Sequence, residues 1–113
     1  MTLNEYFSHY YLLICDGNLD ELEQYFCVDS PLFGATKQQF EALRKQYEFK
    51  FTLKDISLIA KQDDLIVVRD RLSFQADIDG NYIDKESTNL HSLVKEAGEW
   101  KIHCSTPLPQ ALV

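Results

Sequence analysis

The chain has three cysteines, three prolines and four glycines in 113 residues, with one methionine and one tryptophan. Each scarcity excludes something. Cys15, Cys27 and Cys104 are odd in number and widely spaced, which fits neither a disulfide framework nor paired zinc-ligand spacing. A reduced, cytoplasmic chain is the expectation, with each thiol acting as a small buried hydrophobe. So little glycine and proline argues against a linker or low-complexity chain. No run approaches the roughly 18 consecutive apolar residues that cross a bilayer, and Met1-Thr2-Leu3-Asn4-Glu5 carries no basic stretch leading into an apolar one, as a secretory leader would. Basic side chains are also few, eleven against eighteen acidic, for a net charge of −7. Such a surface repels phosphate, so neither nucleic acid nor an anionic membrane is an expected partner. The chain lacks a Gly-rich phosphate loop, a Gly-x-Ser-x-Gly elbow and paired metal-binding carboxylates, so no cofactor and no metal are expected.

What is present is apolar and aromatic: 45% hydrophobic residues, including seven Phe, six Tyr and one Trp. That supports one core in one domain, and the length is too short for two. Thr2 and Glu5 have capping-box spacing, and Leu3, Tyr6, Phe7, Tyr10, Tyr11, Leu13 and Ile14 recur at helical intervals until Gly17. Asn18 can cap a second helix with Leu19, Leu22, Tyr25 and Phe26 on its apolar side, ended by Asp29-Ser30-Pro31. Thr36 with Gln39 offers a cap for a third helix bearing Phe40, Leu43 and Tyr47.

From about Glu48 the period changes to two. Phe49, Phe51 and Leu53 alternate with polar residues, then the apolar phase moves to Ile56, Leu58 and Ala60, which predicts a bulge near Lys54-Asp55. Gln62-Asp63-Asp64 turns into a strand over 65–76. Asp79-Gly80-Asn81 predicts a hairpin into 82–95, and Ala97-Gly98 turns into 99–106. Pro107 and Pro109 are expected to end the pairing, giving a domain over 1–106 and a tail over 107–113. Helices first and long antiparallel strands after them predict an α+β domain whose sheet curls around the helices.

The hairpin His91-Ser92-Leu93-Val94-Lys95-Glu96-Ala97-Gly98-Glu99-Trp100-Lys101-Ile102 and the junction Asp16-Gly17-Asn18-Leu19-Asp20-Glu21-Leu22 resemble the nuclear transport factor 2-like superfamily, which includes SnoaL-like and ketosteroid-isomerase-like proteins. The likeness covers about residues 5 to 106. It implies a cone: three helices closing one side of a strongly curved, four-stranded antiparallel sheet, with a pocket between them. It also implies a homodimer formed through the outer sheet face.

The isomerases of this superfamily use a carboxylate base beside a Tyr and a protonated Asp. The matching base position is Asp29, and the matching Tyr lies on the first helix, where Tyr6, Tyr10 and Tyr11 are available, with Tyr10 the candidate. Alignment on His91 puts Leu90 where the protonated Asp should be, and Leu cannot donate a hydrogen bond. Loss of one oxyanion donor costs about 10²–10³ in rate, so a ketosteroid isomerase is disfavoured. Asp70 shares strand parity with Ile66, Val68, Leu72, Phe74 and Ala76, making it either a pocket carboxylate or an acid paired with a cation at an edge or interface. His91 and His103 read as part of a polar sheet face in dimer contact, without the further ligands that zinc needs.

The candidate pocket lining is Tyr6, Tyr10, Phe26, Phe33, Phe40, Phe51, Asp70, Phe74 and Trp100. The favoured reading is a domain binding a small apolar or amphipathic molecule, or a peptide. The alternatives are a SnoaL-like isomerase, cyclase or dehydratase using Asp29 or Asp70 with a Tyr, and a dimeric protein-interaction scaffold.

Overall fold

The structure, a computed structural model, describes residues 2–108. Helix α1 (Leu3–Asp16) is followed by a 3-10 helix (Leu19–Tyr25) and helix α2 (Phe33–Gln46). Strands β1 (Phe49–Lys61), β2 (Leu65–Ile78), β3 (Asn81–Glu96) and β4 (Glu99–Leu108) then form one antiparallel sheet in chain order. This is the expected α+β cone, three helical segments on one face of a curved four-stranded sheet.

Local chemistry sets most of the boundaries. The Thr2 side chain accepts from the Glu5 amide at 3.1 Å, which is the N-cap half of the capping box, and its hydroxyl donates to the Glu5 carboxylate. At the other end the Gly17 amide donates to the Leu13 carbonyl. A Cβ at position 17 would lie 2.3 Å from Leu13 Cδ1 and 3.0 Å from its Cα, so a larger residue there would push the Leu13 side chain aside. Arg44 Nη1 then donates to the Gly17 carbonyl at 2.8 Å, tying α2 to the end of α1.

The second helical segment is 3-10 rather than α, and it ends at Tyr25, before the Asp29-Ser30-Pro31 turn that the sequence suggests. Phe26 instead forms a parallel bridge to Ile102 of β4. Only Asn18 to Tyr25 spans the gap between Gly17 and that bridge, and a 3-10 helix rises about 2.0 Å per residue against about 1.5 Å for an α-helix. Helix α2 also departs from expectation. It begins at Phe33, with no side-chain cap at Leu32, and Thr36 is already inside it, its amide donating to the Leu32 carbonyl. The entry is fixed by tertiary structure: Ser30 Oγ donates to the His103 carbonyl at 2.8 Å and accepts from the Leu32 amide at 3.3 Å.

In the sheet, register breaks between Leu53 and Asp55 and again between Leu58 and Ala60, so the predicted bulge near Lys54 is present together with a second one. A third lies in β4, where Ser92 pairs with Cys104 and Leu93 with Ile102, leaving His103 as the extra residue. Asp79-Gly80 (φ 52° and 82°) and Ala97-Gly98 (φ 52° and 80°) are left-handed two-residue turns of the kind that match strand twist. β4 runs further than expected. Pro107 pairs with Asn89 and Leu108 with Thr88, which an edge strand tolerates because one side of it needs no donor. Pro109 lies outside the described residues.

The core sits between α1, the 3-10 helix and the inner sheet face. Phe7, Leu22, Val68, Leu93 and Ile102 are wholly buried there, with Ile14 at 1% exposure. Burial of each such side chain stabilises by about 1.5–3 kcal/mol before chain entropy is charged against it. Tyr10, Tyr11, Phe26 and Phe49 belong to the same cluster, with Leu19, Ile66, Leu72 and Ala76.

Candidate functional site

Three polar side chains stand out inside the cone. The Asp79-Gly80 turn sets the β2–β3 register without a gap, placing Asp70 opposite Asn89 and Val68 opposite His91. Asp70 and His91 therefore share the inner face on adjacent strands, and α1 lays Tyr11 across them. The Tyr11 hydroxyl donates to Asp70 Oδ2, and His91 Nε2 lies 2.7 Å from the same oxygen and 3.2 Å from the Tyr11 oxygen. Asn89 Nδ2 donates to Asp70 Oδ1 at 2.9 Å. His91 Nδ1 faces Ser105 Oγ on β4 at 2.7 Å, so the ring bridges β2 and β4.

The set is sealed from water: Asp70 is 1% and His91 2% exposed. Below them the Phe7 ring packs on the His91 ring at 4.6 Å. The Tyr11 hydroxyl is held well above the ordinary tyrosine range, first by burial, then by the negative charge of Asp70 and the hydrogen bond to it. Tyr10 is raised as well, mainly by burial, with smaller contributions from Tyr6 and Asp70.

The candidate residues fall into separate places. Asp70 is in the interior and bonded to Tyr11, His91 and Asn89, not to a cation at an edge. Asp29 is exposed in the turn after Phe26, away from this set. Tyr11, rather than Tyr10, brings its hydroxyl to Asp70, while the Tyr10 ring packs among Phe7, Tyr25 and Phe26. His91 faces the helices, so it is not part of an outer polar face, and His103 occupies the β4 bulge apart from it. Leu90 is half-buried on the opposite face, in register with Arg69 and Thr106.

The aromatic candidates also divide. Phe40, Phe51 and Phe74 join Phe49 in one cluster, with ring centroids 5.5–6.2 Å apart, and Phe51 touches the Tyr11 ring at 5.5 Å. Phe33 packs on Phe26 beside that cluster. Tyr6 and Trp100 stand at the other end, where the Tyr6 hydroxyl donates to the Tyr25 and Trp100 carbonyls at 3.2 and 3.3 Å. Among the described residues no group of three or more His, Cys, Asp or Glu is placed to hold a metal ion. No helix of the described residues is long and apolar enough to cross a membrane.

Strand parity alone does not assign His91 to the inner or the outer face, so it does not join His91 to Asp70. The signal existed. Counting back residue by residue from the Asp79-Gly80 turn puts Asp70 against Asn89 and diagonal to His91, which joins the three on one face.

Solved structures share this architecture at low identity. An NTF2-like protein with a cystatin-like fold from Novosphingobium aromaticivorans matches with a TM-score of 0.78 at 13% identity, covering 96% of this chain and 80% of that one. Aln2 from a Streptomyces species gives 0.76 at 8% identity, covering 93% and 85%. A putative calcium/calmodulin dependent protein kinase II association domain from Xanthomonas campestris gives 0.73 at 16% identity, covering 96% and 87%. These likenesses show the fold alone. No curated protein matches the chain. The family model described as the C-terminal domain of anti-sigma-I factor RsgI9 matches residues 12–108, from the last five residues of α1 through the end of β4, and the chain belongs to that family.

Proposed function

We propose that the chain is a binding domain of the nuclear transport factor 2-like superfamily that takes a small, mainly apolar molecule between α2 and the sheet. The observation that carries this reading is the incomplete burial of α2. The helix presents Phe33, Phe40, Leu43 and Tyr47 toward the sheet, yet none of its residues is fully buried. Phe51 and Phe74 beneath it are half-buried too. An apolar molecule entering there completes a burial that the chain alone leaves unfinished. The family supports a binding role, since its name is that of a domain of a regulatory factor.

The hydrogen-bonded Tyr11, Asp70 and His91 support a second reading, SnoaL-like acid–base chemistry with Asp70 as base and Tyr11 as donor. That reading requires the bound molecule to reach past Phe51.

The test is a titration with 1-aminoanthracene, a neutral apolar fluorophore. Saturable binding is expected, weakened about fivefold or more by Phe74→Trp, which enlarges a side chain of the aromatic cluster beneath α2, and unchanged by Leu58→Ala at the other end of the cone. Binding that is not saturable, or that ignores Phe74→Trp, overturns the proposal. Asp70→Asn separates the two readings, because it leaves binding in place and removes any turnover.

A further inference from the structure

The net charge is not spread along the chain. Residues 1–36 hold six acids, Glu5, Asp16, Asp20, Glu21, Glu23 and Asp29, and no Lys or Arg, while residues 37–113 hold twelve acids against eleven bases. Six of the seven net negative charges therefore sit on α1, the 3-10 helix and the turn after it. Lys37 offsets Asp20 at 2.5 Å. Among the described residues no Lys or Arg lies within ion-pair distance of Asp16, Glu21 or Glu23.

This acidic face contains an apolar groove. Between the solvent side of α1 and the 3-10 helix runs a cleft of about 340 Å³ walled by His9, Leu12, Leu13 and Tyr25 and rimmed by Asp16 and Glu21. Leu12 is 64% exposed although it lies on a helix with ample polar alternatives. A cleft between two helical ridges accepts a third helix, and an apolar wall with an acidic rim selects the charge of that helix.

We infer that this groove docks a cationic amphipathic helix of a partner protein, an apolar side chain seated against Leu12 and Tyr25 with Lys or Arg on either side facing Asp16 and Glu21. The groove lies on the outer surface of α1, so this role is independent of any molecule bound under α2. Nucleic acid and anionic membranes carry the wrong sign for it.

The probe is a fluorescein-labelled peptide of about 14 Leu and Lys residues with Leu at positions i, i+3, i+4 and i+7, followed by anisotropy. Two controls accompany it, a scrambled peptide of the same composition and one with Glu in place of Lys. The amphipathic cationic peptide is expected to bind at least about tenfold more tightly than the scrambled one, and the Glu peptide not at all. Leu12→Ser, at an exposed position that leaves folding intact, weakens binding about fivefold. Asp16→Lys with Glu21→Lys abolishes it, whereas Asp63→Lys with Asp64→Lys, the same charge change in the β1–β2 turn, leaves it within about twofold. Equal binding of the scrambled peptide, or equal loss in both double variants, reduces the effect to bulk charge and overturns the inference. So does a change in the self-association of the chain on Leu12→Ser without any effect on the peptide, which makes a second copy the occupant.

Discussion

Tyr11 shows how a single side chain joins the helical layer to the sheet. Its hydroxyl reaches Asp70, which Asn89 and His91 also engage, so one carboxylate links α1, β2 and β3, and His91 passes the chain of hydrogen bonds to Ser105 on β4. Buried polar sets of this kind specify a unique packing when every member is satisfied. Removing one member leaves others buried without partners, at about 1–3 kcal/mol each. The same burial has a consequence at high pH. Tyr6, Tyr10 and Tyr11 are all raised in the folded state, each mainly by desolvation. An unfolded tyrosine loses its proton near pH 10, whereas the folded one keeps it. Above pH 10 the folded state therefore binds more protons than the unfolded state. The stability of these groups is complete below that pH and falls as pH rises, by up to about 1.4 kcal/mol per pH unit for each retained proton. Urea midpoints measured from pH 8 to 11 should fall steeply, and Tyr11→Phe should fall less steeply than the parent while starting from lower stability. Parallel slopes would show that Tyr11 does not hold its proton in the folded protein.

Among the secondary elements, those whose ends are set by local chemistry were legible in the sequence, and those whose ends are set by distant contacts were not. The Thr2–Glu5 box, Gly17, the bulge near Lys54 and both two-residue turns follow from side-chain reach, close approach and backbone handedness. The α2 entry depends on Ser30 bonding to β4, and the 3-10 helix ends where Phe26 bridges to Ile102 of β4, so neither is written in its own segment. The candidate site divides the same way: the inner parity of Asp70 was readable, while the approach of Tyr11 required knowing how α1 crosses the sheet. One turn carries a measurable strain. Ala97 is held at φ 52°, where a Cβ is costly, and it is exposed. Asn is favoured at this position of a left-handed turn followed by Gly. Ala97→Asn should therefore stabilise the chain by about 0.5–1 kcal/mol and raise Tm by about 3 °C. An unchanged or lower Tm would mean that the hairpin absorbs the strain elsewhere.

At the scale of the whole molecule the two faces of the sheet have different fates. The inner face is covered by helices, and the outer face is crossed by a row of small or aliphatic residues, Ala60, Val67, Ser92 and Cys104, one from each strand and in register. Val67, Ser92 and Cys104 are only half-buried, and among the described residues no helix lies over them. Arg69 and Arg71 flank the row, and Arg71 reaches Glu86 at 3.7 Å, so charge borders the strip without crossing it. We propose that a second copy covers this face, two sheets packing about 10 Å apart with the small row at the centre. A twofold arrangement suits the row because it lacks charge and its side chains are small. Light scattering during gel filtration should give twice the 13.1 kDa chain mass. Ser92→Arg, which puts two like charges at the centre of the interface, should return the chain to a monomer with unchanged helix content by circular dichroism. Cys104→Ala, a change without charge or bulk, should leave the dimer intact. A parent chain that runs as a monomer at about 50 μM, well above the Kd of a stable dimer interface, would leave the outer face to solvent and place the contacts of this protein on its helical side.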